Sequence, residues 1–128
     1  MEDRFIYRAK PLNGKDWVYG YLAAWDEREK SFVLIKNRTE LPIHINPFTI
    51  CQSTGVRDAD GKLIFENDYI EMEPCFYQGC IFPGIKTVEW LDGSWGLIEK
   101  NGRRALLSRE VGKHGRVCGD MIEQNKEN

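Results

Sequence analysis

The sequence predicts a mainly β protein, with a small SH3-like barrel over about residues 54–122 and an additional antiparallel β segment before it. Three observations lead to this prediction: alternating aromatic residues near the N-terminus, two Asx-Gly turns between apolar runs in the second half, and few helix signals. We therefore expect two parts. Residues 1–53 form a β-hairpin segment packed on the rest, and residues 54–128 form the barrel and a polar C-terminal tail.

The N-terminal part is predicted to contain a hairpin over residues 18–35. Alternate positions of its first half hold aromatic or small residues, namely Trp17, Tyr19, Tyr21, Ala23 and Trp25. This period of two is typical of a strand with one covered face, and we expect the barrel to cover it. The charged residues 26–30 then separate this strand from an apolar run at 31–35. Further on, Pro42 and Pro47 exclude a helix interior or a central strand, so residues 41–48 are predicted to be an extended connector.

An Asp-Gly pair at residues 92–93 predicts a hairpin in the second half. A two-residue Asp-Gly loop favours a type I′ turn, and it places Trp90 opposite Trp95 and Val88 opposite Leu97. The hydrophobic pattern agrees with the turn chemistry. This agreement makes residues 86–98 the best local prediction in the sequence.

An Asn-Gly pair at residues 101–102 predicts a second hairpin directly after the first. If its loop also has two residues, Leu97 lies opposite Leu106 and Glu99 lies opposite Arg104 as a complementary charged pair. Residues 86–108 are then a three-stranded meander.

The barrel is predicted to begin with a turn and a half-buried strand. Residues 54–62 contain Asp58, Asp60 and Gly61, which favour a tight turn; the glutamate that a calcium loop needs downstream is missing. In residues 69–73, Ile70 and Met72 alternate with polar positions. A turn, a strand, an irregular excursion over 74–85 and a meander follow the element order of an SH3-like barrel.

Four blocks of residues, spread over most of the chain, form a recognisable set. They are Trp17-Val18-Tyr19-Gly20; Thr54-Gly55 with Asp58, Gly61-Lys62, Ile64, Glu66, Asp68 and Ile70; Val88-x-Trp90; and Val117-Cys118-Gly119-Asp120-Met121-Ile122-Glu123. Together they resemble the YopX family of phage and prophage proteins. Asn67 stands where the family more often has Gly, and Asp120 replaces its usual Asn. The resemblance implies a mostly β fold, a phage or prophage origin and action in the bacterial host cytoplasm; it implies no enzymatic activity.

The charge distribution suggests a binding segment. The 128 residues carry a net charge of −2, which excludes a wholly basic protein, yet residues 58–73 have a net charge of −5 and residues 100–116 a net charge of +5. The bases of the second segment are Lys100, Arg103, Arg104, Arg109, Lys113 and Arg116. These bases are solvated strand and loop positions, or they track a phosphate backbone, or they pair with the acidic segment of a second copy.

Catalytic and metal-binding motifs are lacking in the sequence. Phosphate loops, nucleophile elbows and His-Glu-x-x-His helices are absent, and His44 and His114 stand far apart. Glu71 and Glu73 share a strand face that we interpret as solvated. We therefore predict no catalytic residue, no cofactor and no metal, and the protein is not expected to be an enzyme.

The hydropathy predicts a cytoplasmic protein, and the cysteines are interpreted for that reducing compartment. Cys51, Cys75, Cys80 and Cys118 form no Cys-x-x-Cys pair and are expected to be small apolar or surface residues. The minor alternative is that Cys75 and Cys80 pair with each other or bind zinc with His44 or His114. The chain has no run of 18 apolar residues and opens with charge. It is expected to act in the cytoplasm, away from membranes.

Three classes of function follow from these observations. The leading hypothesis is a non-catalytic β-barrel binding module that contacts a host or phage protein or assembles with itself. The alternative is a nucleic-acid-binding protein that uses the basic segment 100–116. An enzyme of unknown class is the third hypothesis.

Overall fold

The chain is mainly β, as its alternating apolar pattern predicts. A computed structural model describes residues 3–28, 31–36, 41–73 and 83–123. The strands are β1 (Tyr7–Ala9), β2 (Val18–Asp26), β3 (Ser31–Ile35), β4 (Ile43–Ile45), β5 (Cys51–Arg57), β6 (Leu63–Phe65), β7 (Asp68–Met72), β8 (Gly84–Leu91), β9 (Ser94–Ile98), β10 (Arg104–Leu106) and β11 (Gly115–Asp120). The helices are the 3-10 turns Asp3–Phe5 and Pro47–Thr49 and the short α-helix α1 (Arg109–Gly112).

Hydrogen bonding arranges these strands in two antiparallel sheets. One has the order β4-β3-β2-β1-β5-β6 and the other the order β10-β9-β8-β7-β11. Contacts between residues divide the chain into two compact units, residues 1–53 and residues 54–128, with the boundary inside β5. The predicted irregular segment lies outside the described residues at 74–82, and the predicted polar tail lies outside them at 124–128.

The first unit contains the predicted hairpin, because β2 pairs with β3 in antiparallel register. Its core is formed by Ala9, Leu34 and Ile45, with Val18 and Leu22 of β2 packed against them. The face of β2 that is covered is therefore the aliphatic one.

The aromatic face of β2 is partly exposed. Tyr19 and Tyr21 are 45% and 39% exposed. Between them, a Cβ at Gly20 would lie 2.6 Å from the carbonyl oxygen of Ile35, so this position beside β3 has no room for a side chain. Tyrosine tolerates this arrangement because its ring is apolar while its hydroxyl prefers water. The side chain of Trp25 lies outside the described part of the structure.

The predicted connector 41–48 contains an edge strand, β4, followed by a 3-10 turn. Leu12 N–H donates to the carbonyl of His44, and Asn46 N–H donates to the carbonyl of Lys10, at 3.0 and 2.9 Å. An isolated bridge joins Pro11 to Ile45. The segment after β1 thus covers the outer edge of β4, and the exclusion of a central strand by the two prolines is confirmed.

The second unit has its own core on one face of the five-stranded sheet. The buried residues are Val56, Ile64, Ile70, Met72, Val88, Leu97, Leu107 and Val111. Burial of Ile70 and Met72, with Glu71 exposed between them, confirms the predicted half-buried strand. The sheet has β10 and β11 at opposite edges, and no pairing between described residues joins them. The closed barrel is therefore not observed, because β11 adds beside β7 while β5 joins the other sheet.

The first predicted hairpin of the meander is confirmed. Asp92 and Gly93 both have positive φ, 31° and 105°, as a type I′ turn requires. The register places Trp90 opposite Trp95, and their rings meet edge to face with centroids 5.1 Å apart.

The second predicted hairpin forms, but its register is wrong by one residue. Arg104 lies opposite Ile98, and Leu106 lies opposite Gly96. The reason is a three-residue loop: Glu99 N–H donates to the carbonyl of Arg103, and Gly102 has a φ of 88°. A turn followed by a left-handed glycine is the usual three-residue solution, and it adds one residue to the loop that the Asn-Gly pair alone suggests.

The Asp58 carboxylate joins the turn after β5 to the last strand. Its Oδ1 accepts the N–H groups of Asp60 and Lys62, each at 2.9 Å, which confirms the predicted turn. Its Oδ2 accepts the N–H of Val117, also at 2.9 Å. Asp58 is buried, so no water replaces these bonds without rearrangement.

We expect Asp58→Asn to destabilise the second unit by roughly 1–3 kcal/mol, because an amide group would present an N–H to a buried backbone N–H. The free energy of unfolding from urea titration measures this loss. Asp60→Asn is the matched control: Asp60 is exposed and forms only a surface ion pair with Arg116, so its loss should be clearly smaller. Equal losses for the two variants would contradict the role given to Asp58.

Candidate binding surface

One face of the five-stranded sheet carries a group of partly exposed apolar side chains beside an arginine. In the register of β8, β9 and β10, Leu91, Ile98, Arg104 and Leu106 all lie on the face opposite the core. Leu106 is 61% exposed, Arg104 is exposed, and Leu91 and Ile98 are half-buried. We call these four residues the β10 face.

Gly96 lies at the middle of the β10 face and leaves room for it. A Cβ at this position would collide with the side chain of Leu91, which therefore lies over the glycine. Leu106 is directly opposite Gly96 on the neighbouring strand. The absence of a side chain at Gly96 allows the two leucines to flank one shallow apolar area.

The six bases predicted as a binding segment lie at three separate places. Lys100, Arg103 and Arg104 belong to the β9–β10 hairpin, Arg109 and Lys113 flank α1, and Arg116 is on β11; all six are exposed. The β10 and β11 edges are separated by four strand spacings, about 19 Å along the sheet. The segment therefore does not form one continuous basic patch.

Part of the basic segment is neutralised within the chain. The Arg116 guanidinium lies 3.3 Å from Asp60 and 3.4 Å from Glu73, and these carboxylates raise its pKa. Lys113 lies 3.1 Å from Glu110. Because β7 and β11 are neighbours in the sheet, the acidic segment 58–73 and the basic segment 100–116 meet in one molecule. This reduces the charge separation that a head-to-tail assembly would use.

Glu99, the acid next to the hairpin loop, is bound to Lys86. Lys86 is buried and its ammonium forms a short ion pair with the Glu99 carboxylate. The hydrogen bond from Lys86, helped by the charges of Lys86 and Arg103, lowers the pKa of Glu99 below its ordinary value although partial burial opposes the shift. The negative charge of Glu99 is thus largely engaged by Lys86 at the base of the hairpin.

The motif block around residues 54–68 holds the main chain in place. The Thr54 hydroxyl donates to the carbonyl of Ile64 at 2.8 Å, and Asp68 accepts the N–H of Phe65 at 2.8 Å. Gly61 and Asn67 have φ values of 81° and 71°, which Gly and Asn tolerate best. Together with the bonds of Asp58, these contacts give the block a structural role.

A model of the family described as YopX protein matches residues 6–126. The chain belongs to the YopX family. A comparison with curated proteins gives no match. The structure accounts for two positions at which this YopX chain departs from the pattern. Asn67 adopts the positive φ that Gly would adopt, and Asp120 accepts the N–H of Glu123 at 2.7 Å, as an Asn side-chain oxygen also would.

The described cysteines and histidines lie on different elements of this YopX chain. Cys51 is buried in the first unit, and Cys118 is an exposed residue of β11 whose thiol has a pKa raised by partial burial. His44 lies on β4, whereas His114 follows α1. Cys75 and Cys80 lie outside the described residues. Among the residues that are described, no group of three or more His, Cys, Asp or Glu is placed to hold a metal ion.

The part of the chain that the structure describes contains no helix of the length and apolar character needed to cross a membrane.

The β10 face was missed by sequence reasoning because of the register error. A two-residue loop would direct Leu106 toward the core beside Leu97, whereas the three-residue loop directs it outward and places Ala105 inside. A shift of one residue exchanges the two faces of a strand. The glycine after Asn101, which fits the left-handed end of a three-residue loop, was the available signal.

We expect the Lys86–Glu99 pair to make stability depend on pH. Since the folded-state pKa of Glu99 lies below its unfolded value of about 4.3, the pair stabilises the fold above that pH and ceases to do so as the pH falls through the folded pKa. Thermal melts should show Glu99→Gln less stable than the parent at pH 7, with a difference that narrows below about pH 4.

Glu110→Gln is the control for this measurement, because Glu110 forms an exposed pair with Lys113. It should change the melting temperature little at either pH. A difference between parent and Glu99→Gln that stays constant from neutral to acid pH would contradict the assignment.

Proposed function

We propose that this YopX protein is a non-catalytic binding module that recognises another protein through the β10 face. The observation that carries the proposal is the composition of that face: two leucines and an isoleucine share it with an exposed arginine of the edge strand β10. Apolar side chains next to arginine are typical of the centres of protein interfaces. A partner that covers Leu106 would remove its exposed apolar surface from water.

The carboxylates of the family-like blocks support a non-catalytic role. Asp58, Asp68 and Asp120 are buried, and each accepts at least one main-chain N–H. A carboxylate that holds backbone amides is committed to the fold. The most specific motif of the sequence is therefore explained without a reaction.

The distribution of bases favours a protein partner over a nucleic acid. Lys100, Arg103 and Arg104 share one hairpin, where the charge of Arg103 also acts on Glu99. Lys113 and Arg116 lie elsewhere and each faces a carboxylate. Few phosphate contacts would give weak, strongly salt-dependent binding. The nucleic-acid alternative is thus confined to the hairpin loop.

Family membership supports the proposed setting. The protein would act in the cytoplasm of a bacterial host, as a phage or prophage product whose partner is a host protein, a phage protein or its own copy. If the partner is a host or phage protein, it contacts the β10 face. The second unit resembles an SH3-like barrel only in the order of its elements.

Capture from a nuclease-treated bacterial lysate, with quantification of each bound protein, tests the proposed function. We expect at least one partner whose recovery falls about tenfold or more with Leu106→Ser, since losing a buried leucine costs roughly 1.5–3 kcal/mol. Ile85→Ser is the matched control: Ile85 is 58% exposed on β8, close to the 61% of Leu106, but lies at the other end of the sheet. The amount of partner recovered with Ile85→Ser should be the same as with the parent protein.

Two results would contradict the proposal. In the first, no captured protein distinguishes Leu106→Ser from Ile85→Ser. In the second, a gel shift at about 50 mM salt retards DNA or RNA and is lost with Arg103→Ser and Arg104→Ser, which would favour the nucleic-acid alternative.

A further inference from the structure

We propose that β10 is a docking edge to which the partner adds an extended acidic strand in antiparallel orientation. This inference rests on the proposed function and specifies the partner's chemistry. Strand addition uses main-chain hydrogen bonds for affinity and alternate side chains for specificity. Such pairing requires an uncovered edge, main-chain groups that point outward and nearby cations for an acidic strand.

The register determines which main-chain groups of β10 point outward. Glu99 N–H donates to Arg103 O at 2.9 Å, and Leu107 N–H donates to Trp95 O at 3.0 Å, so residues 103, 105 and 107 direct their groups toward β9. Antiparallel pairing alternates these directions along a strand. Arg104 and Leu106 therefore direct their N–H and C=O groups away from β9, and we call these groups the β10 edge.

The edges at β11 and at β4 are covered, and β10 is not covered in the same way. At the far side of its sheet, Val117 N–H donates to Asp58 and the carbonyl of Gly115 accepts Ala59 N–H, at 2.9 Å each. In the other sheet, residues 10–12 bond to β4. Among the described residues, no strand lies beyond β10. An uncovered edge is a template for a further strand unless the protein blocks it.

Charge selects the kind of strand that fits. Lys100, Arg103 and Arg104 stand on the same hairpin, and the adjacent acid, Glu99, is bound to Lys86. Glu89, an acid on the same face, belongs to β8 and is separated from β10 by Gly96 of β9. An acidic strand gains from these cations, whereas a second copy of the hairpin would bring like charges together. The edge is thus complementary to acid.

The side chains give the spacing of the recognised strand. Arg104 and Leu106 project on the same face, two residues apart. In an antiparallel neighbour, an acid opposite Arg104 and an aliphatic residue opposite Leu106 are then also two residues apart. The expected pattern is acid, any residue, aliphatic.

The test uses the end-blocked peptide Thr-Glu-Thr-Val-Thr-Glu-Thr, which has an acid two residues from its valine in both directions. Amide hydrogen exchange of the full chain, followed by NMR, reports the outcome at single residues. We expect the peptide to slow exchange of the Arg104 and Leu106 amides at least about tenfold, which corresponds to about 1.4 kcal/mol of protection. The Ala105 amide, bonded to β9, should change little. The same peptide with Lys in place of Glu should give no protection.

N-methylation of the peptide tests the hydrogen bonds without altering the protein. In the proposed pairing the valine N–H points to β10, and the N–H of the preceding threonine points away. Methylation at the valine should therefore weaken binding at least tenfold, whereas methylation at that threonine should have little effect. Leu106→Pro in the protein should likewise weaken binding of the peptide, because proline removes an outward N–H of β10 and no bond to β9.

Several outcomes would overturn the inference: no protection at Arg104 and Leu106, equal protection by the lysine peptide, or equal effects of the two N-methyl groups. A dimer in light scattering that Leu106→Pro abolishes would show that the edge takes a second copy, which also overturns it. If Leu106→Ser still abolishes partner capture while the amides stay unprotected, the inference fails and the proposed function stands. If the peptide protects the amides but no captured protein depends on Leu106, the proposed function fails, while binding of an acidic strand to the β10 edge stands.

Discussion

The second unit depends on a single buried carboxylate that accepts three backbone N–H groups. Asp58 belongs to the turn after β5 and reaches the middle of β11, so it fixes a local turn and a long-range contact at once. A charged acceptor suits this position because bonds from N–H groups to a carboxylate are stronger than bonds to a neutral oxygen. With β11 held in place, one edge of the sheet is closed, whereas no described strand lies beyond β10 at the opposite edge.

The placement of β11 also explains why charge along the chain differs from charge in space. The sequence separates an acidic segment from a basic one, yet antiparallel pairing of β7 with β11 brings Glu71 opposite Arg116. Glu73 and Asp60 reach the same guanidinium. The hairpin with Arg103 and Arg104 lies at the opposite edge of the sheet. The net charge of a segment therefore does not give the charge of the surface it forms when the segment pairs with one of opposite charge.

Local sequence patterns correctly predicted turns and strands whose geometry depends on residues close to one another in the chain. The Asp-Gly turn at 92–93 and the alternation of Ile70 and Met72 each fix a strand and its buried face, and the structure confirms both. Burial that depends on distant partners was harder: Tyr19 and Tyr21 have the same period as a covered face but are exposed. The β10 face was not predicted because the loop before β10 has one residue more than expected. Loop length determines which side chains of the strand point to the core, and a leucine such as Leu106 can occupy either face. Closure of a barrel is a global property that element order alone does not determine.

The position of β11 in the chain affects how the protein is made. This strand is the last one described, and the bond from Val117 to Asp58 spans 59 positions. Contacts at such separation form late, since the intervening chain must first lose its freedom. During synthesis the bond from Val117 to Asp58 therefore forms only after β11 has left the ribosome. A chain cut before β11 would expose β7 as a second open edge, so a truncated product is expected to aggregate.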